Sequence, residues 1–439
     1  MKEKIKSIIL IILVINSLIL TWLLIYYSPY NDHTTPLEYQ TRLKFGKDLE
    51  LRHVLKPKHL IIHSGDNQHY LVANNNILFK SLEEEMKNWS FHNFYPVYRV
   101  LDWEDIMENK EGIEIVFGPG LSNSLLMQIF IIPSDIIPLE SINRVWITTD
   151  NNDNMIAYFL SDQMDKVYAA KPSVTNGMLN HYLNNINDLK DYSYYWQQEK
   201  EKVMVKTAFY LPNEEIKMNI VKKFYTPLSD DDFIQLLFID PALVRKVYDK
   251  DYRDHILYTD GSRSLQVYPH QYYINYFYHS INDIPNPNDL QKDLQGAVRF
   301  VNQHGGWEGS YQLDSLEHLE QSNQSVLYFH QYLEGYPIID EKEKYGEIVL
   351  NMSGGIAHAY QRAMILLDQN LATEEVLIFS GTELLRLLEE KGIFANDINL
   401  VELRYQVKRT KDYLELIPVW HVNYQDSQIF EIPAFQSGV

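Results

Sequence analysis

A chain of 439 residues is longer than a single hydrophobic core sustains, about 250–300 residues, so two or three folded units are expected. Its 59 acidic residues outnumber 39 basic ones, for a formal charge of −20, a balance that excludes nucleic acid and flat adsorption on anionic lipid, both of which need clustered Lys and Arg. Without any cysteine there is no disulfide, thiolate metal site or cysteine nucleophile, which suits an exported bacterial protein folding without oxidising machinery.

The first element is Ile8 to Tyr27, an apolar run interrupted only by Asn16, Ser17 and Thr21. A helix of about twenty residues at 1.5 Å rise spans roughly 30 Å, the thickness of a bilayer's hydrocarbon core. Lys2, Lys4 and Lys6 precede the run and no Lys or Arg follows before Arg42, so the N-terminus is expected in the cytoplasm and everything beyond about residue 30 outside. A cleaved signal peptide has a shorter apolar region and a small-residue cleavage site. Here the exit reads Tyr26-Tyr27-Ser28-Pro29-Tyr30, and an uncleaved single-pass anchor in the cell membrane is the reading. Asn16 either gains from a partner on another helix, worth about 1 kcal/mol, or is simply tolerated. Ser17 and Thr21 share one helical face, with Asn16 about 100° away. Asn16, Ser17, Thr21 and Trp22 are the candidate transmembrane contact residues.

Residues 31–47 are polar and read as a tether. Leu60-Ile61-Ile62 and Tyr70-Leu71-Val72, separated by Ser64-Gly65-Asp66-Asn67, predict a hairpin. Ser81-Leu82-Glu83-Glu84 matches a capping box and predicts a helix from about Ser81. Strands are expected at Ile113 to Phe117, Met127 to Ile132 and Val145 to Thr149, with loops at Ser134-Asp135 and Asp150 to Asn154. Further on come a strand at Val203 to Leu211, a helix after Ser229 and a hairpin turning at Asp260-Gly261. A helix is expected between Asn286-Pro287-Asn288-Asp289 and Gly305-Gly306, then strands at Val326 to Leu333, Glu347 to Met352 and Ala357 to Met364. Ser380 caps a helix with Leu384, Leu385, Leu387 and Leu388 on its apolar face, before strands at Asn399 to Lys408 and Tyr413 to Tyr424. The fold class is therefore α+β, antiparallel sheets with packed helices. Its parts are 1–30 cytoplasmic tip and anchor, 31–47 tether, 48–165 first extracellular domain, 166–285 middle domain and 286–439 C-terminal domain.

Candidate chemistry is sparse. His53, His59, His63 and His69 invite a metal reading, but their spacing offers no tetrahedral set on strands, and they read as surface or half-buried histidines. The acidic loop Asp150 to Asn154 lacks the glycine and terminal glutamate of a calcium loop and reads as a solvated turn. Asp260 and Arg263 read as a turn with a flanking charge. No GxSxG, HExxH or Walker loop occurs, so neither an enzyme nor a cofactor is expected. Two short texts echo one another, Tyr332 to Ile338 and Tyr413 to Val419; each sets a proline after an apolar strand, where an edge or bulge is expected, and a β-α-β repeat would explain the echo.

Several stretches taken together resemble the YycH (WalH) family over most of the chain: Leu20-Thr21-Trp22, Leu237 to Pro241 with Val244-Arg245, Tyr258 to Arg263, Tyr332 to Pro337, and Leu416 to Trp420. The last two also resemble PepSY-type and propeptide-type modules and the companion protein YycI. The resemblance implies a single-pass membrane protein that acts with a YycI-like protein on a WalK-like sensor histidine kinase, which controls cell-wall metabolism through WalR. Contact between transmembrane helices is part of the implied mechanism, and both signs of regulation stay open. Two other readings stand beside it: an exported protease-inhibiting propeptide-like module and an extracellular ligand sensor.

Overall fold

The computed structural model describes residues 6, 13–17 and 20, and residues 43–439 apart from 99–100, 134–140, 151, 162–165, 197–207, 248–254, 280–288, 320–323, 341, 343, 426–427 and 436–439. The chain forms two units, Met1–Arg42 and Leu43–Val439. Within the first, residues 13–17 are helical and solvent-exposed, including Leu13, Val14 and Ile15. Among the described residues no helix is long and apolar enough to cross a membrane; most of the expected anchor lies outside them.

The second unit is built on three sheets whose strands pair antiparallel. Nine strands make the first, in the order Phe91–Pro96, Val167–Pro172, Met155–Ser161, Ile142–Thr149, Glu111–Leu121, His59–Ser64, His69–Val72, Asp191–Trp196 and Ala208–Pro212. Ile365–Ile378, Ile216–Pro227, Tyr413–Tyr424 and Ile398–Arg409 form the second, with Gln428–Pro433 added to Tyr413–Tyr424. The third runs from Arg245–Val247 through Ile256–Thr259, Arg263–Tyr268, Tyr273–Tyr278, Ile356–Ala363, Glu347–Ser353 and Gln324–Leu333 to Ser310–Leu319, with Tyr336–Pro337 on Gln324–Leu333. Strands from the stretch 166–285 thus enter all three sheets, and the third sheet joins strands from both sides of residue 285.

Period-two alternation sorts the first sheet's side chains to its faces. Leu60 and Ile62 join one large core with Phe79, Leu82 and Met86 of the helix Ile77–Met86 and with Leu294, Ala297 and Val301 of the helix Leu290–Gln303. On the opposite face Trp146, Tyr158 and Leu160 pack against Trp103, Ile106 and Met107 of the helix Trp103–Asn109. A third cluster fills the second sheet around Leu384 and Leu388 of the helix Gly381–Glu389. The first and third sheets meet closely at Gly118, where an added Cβ would lie 2.4 Å from the Asp314 carbonyl oxygen.

Several expectations hold. The hairpin pairs His63 with His69, Ser229 caps Asp230–Leu237 through Asp232, Asp289 caps Leu290–Gln303 and Ser380 caps Gly381–Glu389. At Asp260 the carboxylate accepts from the backbone of Ser262 and Arg263, as a turn residue does. Two expectations of secondary structure fail. The helix expected from Ser81 begins at Ile77, because Asn76 accepts from the Leu78 amide at 2.8 Å and caps it first. Met127 to Ile132 is not a strand: Ser122 opens the short helix Asn123–Leu126, and Phe130 N still donates to Leu126 O at 2.8 Å. A short apolar run buries itself equally well either way, so its periodicity does not decide. The echoing texts take different forms. Glu334 and Gly335 (φ 50° and 95°) fold the first into a turn, whereas Tyr413–Tyr424 is one strand. Pro418 stands where that strand's pairing changes from Leu416 on Val221 to Val419 on Pro433.

Candidate functional site

Charges buried where the three sheets meet form one polar assembly. Lys58, just before the strand His59–Ser64, sets its Nζ 2.7 Å from Glu402 Oε2 of the second sheet and 3.3 Å from Asp314 Oδ1 of the third. Asp314 is the extra residue of a β-bulge, since Leu313 pairs with Phe329 and Ser315 with Tyr328. A bulge re-aims a side chain, and this one reaches the first sheet. Beyond it, Asp314 Oδ2 lies 3.3 Å from His330 Nδ1, and His330 Nε2 lies 3.4 Å from Glu347 Oε2. Neither contact is an aligned hydrogen bond; they are charge contacts. Arg404 meets Glu402 Oε1 at 3.2 Å.

Burial disfavours every one of these charges, and the partners reverse that. Burial opposes the Lys58 ammonium, but Asp314 and Glu402 hold its pKa above the ordinary lysine value. Burial likewise opposes ionised Asp314, while Lys58 and His330 hold its carboxyl well below the usual range. For His330 burial is overcome by Asp314 and Glu347, which raise it to about 9. Glu402 is lowered against burial by Lys58 and Arg404. The network is charged at neutral pH and belongs to all three sheets.

A second assembly lies within the first sheet. His63 and His69 are fully buried, a correction to their reading as surface or half-buried residues. Their cross-strand pairing brings the two Nδ1 atoms to 2.8 Å, and burial lowers both pKa values, His69 to about 3. Two neutral imidazoles share one proton there, one donating and the other accepting. His63 stacks on Trp146 at 4.2 Å between ring centroids and approaches Glu114 Oε2 at 3.4 Å. Glu114 pairs with Arg144 and accepts from the Tyr210 hydroxyl; burial opposes its charge, yet Arg144 and His63 bring it down to about 2. Among the described residues no group of three or more His, Asp or Glu could hold a metal ion.

Between these assemblies lies a cavity of about 240 Å³ whose walls include Lys58, His59, Arg144, Tyr210, Glu402 and Trp420. Its lining comes from all three sheets, since Tyr336 belongs to the third. His59 is held near a pKa of about 4 by burial and by Lys58. Of the candidate contact residues of the anchor, Asn16 and Ser17 are helical and exposed in the first unit, and Thr21 and Trp22 lie outside the described residues. Sequence reading missed the junction, although it left a signal. Glu114, His330, Glu402 and Arg404 each interrupt an apolar strand, and a charge within such a run is costly unless paired.

Family comparison places these features. The family model described as YycH protein, N-terminal domain, matches residues 3–191, and YycH protein, C-terminal domain, matches residues 206–437. The chain belongs to the YycH family. Among curated proteins it is similar to the two-component system WalR/WalK regulatory protein YycH of Bacillus subtilis (strain 168), 25% identical over 450 residues, covering 95% of this chain and 94% of the relative. Among solved structures it is similar to the crystal structure of YycH from Bacillus subtilis, with a TM-score of 0.68 and 17% identity, covering 89% of this chain and 98% of that one. The fold is shared. In this member of the YycH family the strand Ala208–Pro212 falls within the C-terminal family domain yet completes the first sheet, and it delivers Tyr210 to Glu114.

Proposed function

We propose that the chain is a non-enzymatic regulator of a WalR/WalK-type two-component system, anchored in the cell membrane by Ile8 to Tyr27 with its N-terminus cytoplasmic and the rest extracellular. Its partners on this reading are a WalK-like sensor histidine kinase and a YycI-like protein. The carrying observation is the end-to-end similarity to the B. subtilis relative, which bears the name of a WalR/WalK regulatory protein. The apolar run with three lysines ahead of it supports the anchor and its orientation.

A regulator of this kind shifts the kinase between two states by the difference in its contact free energy with each. One interhelical hydrogen bond of about 1 kcal/mol changes that ratio several-fold. Asn16→Leu should therefore weaken co-purification of the kinase from membranes and alter WalR-dependent reporter output; if both stay unchanged, Asn16 has no such role. A protease-inhibiting module would instead act as soluble residues 31–439. Replacing the anchor by an unrelated transmembrane helix should abolish regulation, and full regulation by the swapped chain would move the contact to the extracellular part.

A further inference from the structure

We infer that residues 43–49 form a strap that ties the chain's entry into its second unit to the C-terminal half, so that a pull on the tether acts on the helix Leu290–Gln303 and the third sheet before it reaches the first. Residues 1–42 join that unit at Leu43. The strap falls within the N-terminal family domain, residues 3–191, yet the groups that hold it, Asn302 to Trp307 and Arg362, fall within the C-terminal one, residues 206–437. The amides of Phe45 and Gly46 donate to the Gly305 carbonyl at 2.8 and 3.0 Å. Lys47 donates to the Trp307 carbonyl at 3.1 Å and accepts from its amide at 2.9 Å, an antiparallel bridge. Asn302 closes the far end. Its Oδ1 accepts from the Leu49 amide at 3.0 Å, its Nδ2 donates to the Leu49 carbonyl at 2.9 Å, and the same Oδ1 takes the indole N–H of the fully buried Trp307 at 2.9 Å.

Side chains and glycines fix the near end. The Phe45 ring lies 5.8 Å from that of Phe233 and 5.4 Å from the Arg362 guanidinium, which itself donates to the Gly306 carbonyl at 2.9 Å. A Cβ on Gly46 would lie 2.0 Å from the Trp307 carbonyl oxygen, and one on Gly306, at φ 78°, would lie 2.8 Å from the Gly46 carbonyl oxygen. Hydrogen bonds strung along the strap share a pull applied along it, and two side chains pass that pull inward. Trp307 packs on Phe329 at 5.2 Å, and Arg362 belongs to the strand Ile356–Ala363. The first sheet begins only at His59, beyond the strap and the short helix Leu51–Val54. The consequence for signalling rests on the regulatory reading; the strap itself is judged by exchange rates alone.

The test is hydrogen exchange on the full chain in nanodiscs, read beside a WalR-dependent reporter in cells. Wild-type amides of Phe45, Gly46, Lys47 and Leu49 should exchange slowly. Gly46→Ala, whose added methyl meets the Trp307 carbonyl, should speed them about tenfold or more, the effect of losing one or two hydrogen bonds, while the amides of His59–Ser64 keep their wild-type rates. Gly177→Ala, where the nearest atom is 3.8 Å away, should change neither. If Gly46→Ala unfolds the chain, Asn302→Leu, which removes both bonds to Leu49, should speed the Leu49 amide by a similar factor. Strap amides that exchange in the wild type as in an unstructured peptide, or that are unmoved in both variants, overturn the strap. In cells Gly46→Ala should keep kinase co-purification and lose most of the effect on the reporter. A flexible insert of about ten Gly and Ser residues between Arg42 and Leu43 should do the same by adding slack. Freed strap amides with an unchanged reporter, while an unrelated transmembrane helix still abolishes regulation, overturn the coupling and leave the regulatory reading standing. Full regulation by the chain with the unrelated helix overturns the anchor contact itself, and with it anything for the strap to pass on.

Discussion

Lys58 shows at the scale of one residue how much the fold depends on charges the sequence scatters. Replacing it by Met leaves Asp314 and Glu402 buried without their shared cation; breaking such a pair costs about 3–5 kcal/mol. A chemical-denaturation midpoint for Lys58→Met close to wild type would mean the pairs contribute little. The histidines set opposite pH dependences. His330 is raised from 6.5 to about 9, so between those values the folded state holds a proton the unfolded state has lost, and stability is full below pH 6.5 and falls as pH rises through 9. His69 is lowered from 6.5 to about 3, so the unfolded state holds the extra proton there, and stability falls as pH drops from 6.5 toward 3. Urea midpoints should peak near pH 6.5, and His330→Gln should flatten the alkaline limb only. An unchanged alkaline limb in that variant would remove His330 as its source. The interrupting charges were visible in the sequence but their partners were not, and His63 and His69 read as ordinary because spacing shows neither burial nor the cross-strand register that joins their rings.

Elements were legible where local chemistry decided them. Ser229, Asp289 and Ser380 cap their helices as the sequence indicates, since a side-chain oxygen near the first amides acts within one turn. At Ile77–Met86 two caps compete, and the upstream Asn76 wins because Ile77 to Lys80 already favour helical packing through Phe79. Asn76→Ala should accordingly lower stability by about 1 kcal/mol, and Ser81→Ala, inside the helix, should change it little. The reverse ranking in thermal unfolding would restore Ser81 as the start. The strand Ile365–Ile378 was missed because most of it is exposed and it lacks a buried alternating face; its place comes from pairing along Ile216–Pro227, more than a hundred residues earlier. Long-range pairing of this kind leaves no local trace.

In the whole molecule, the boundary between the two family domains is a boundary of sequence more than of structure. Strand Ala208–Pro212 closes the first sheet from beyond it, Tyr210 bonds Glu114 across it, and Lys58 reaches Asp314 and Glu402 across it. At Gly118 the backbones of the first and third sheets approach so closely that no side chain fits between them. A protease site placed within residues 197–207 and then cut should therefore leave two fragments that still co-elute. Because the joining charges are buried, raising the salt to about 1 M, where the Debye length is about 3 Å, should not part them. Lys58→Met should weaken the association of the cut halves, since it removes the cation shared by Asp314 and Glu402 and leaves the apolar contacts in place. Separation of the wild-type halves in dilute buffer would show that the three sheets are joined mainly by the covalent chain, and would leave the buried charges as features of individual sheets.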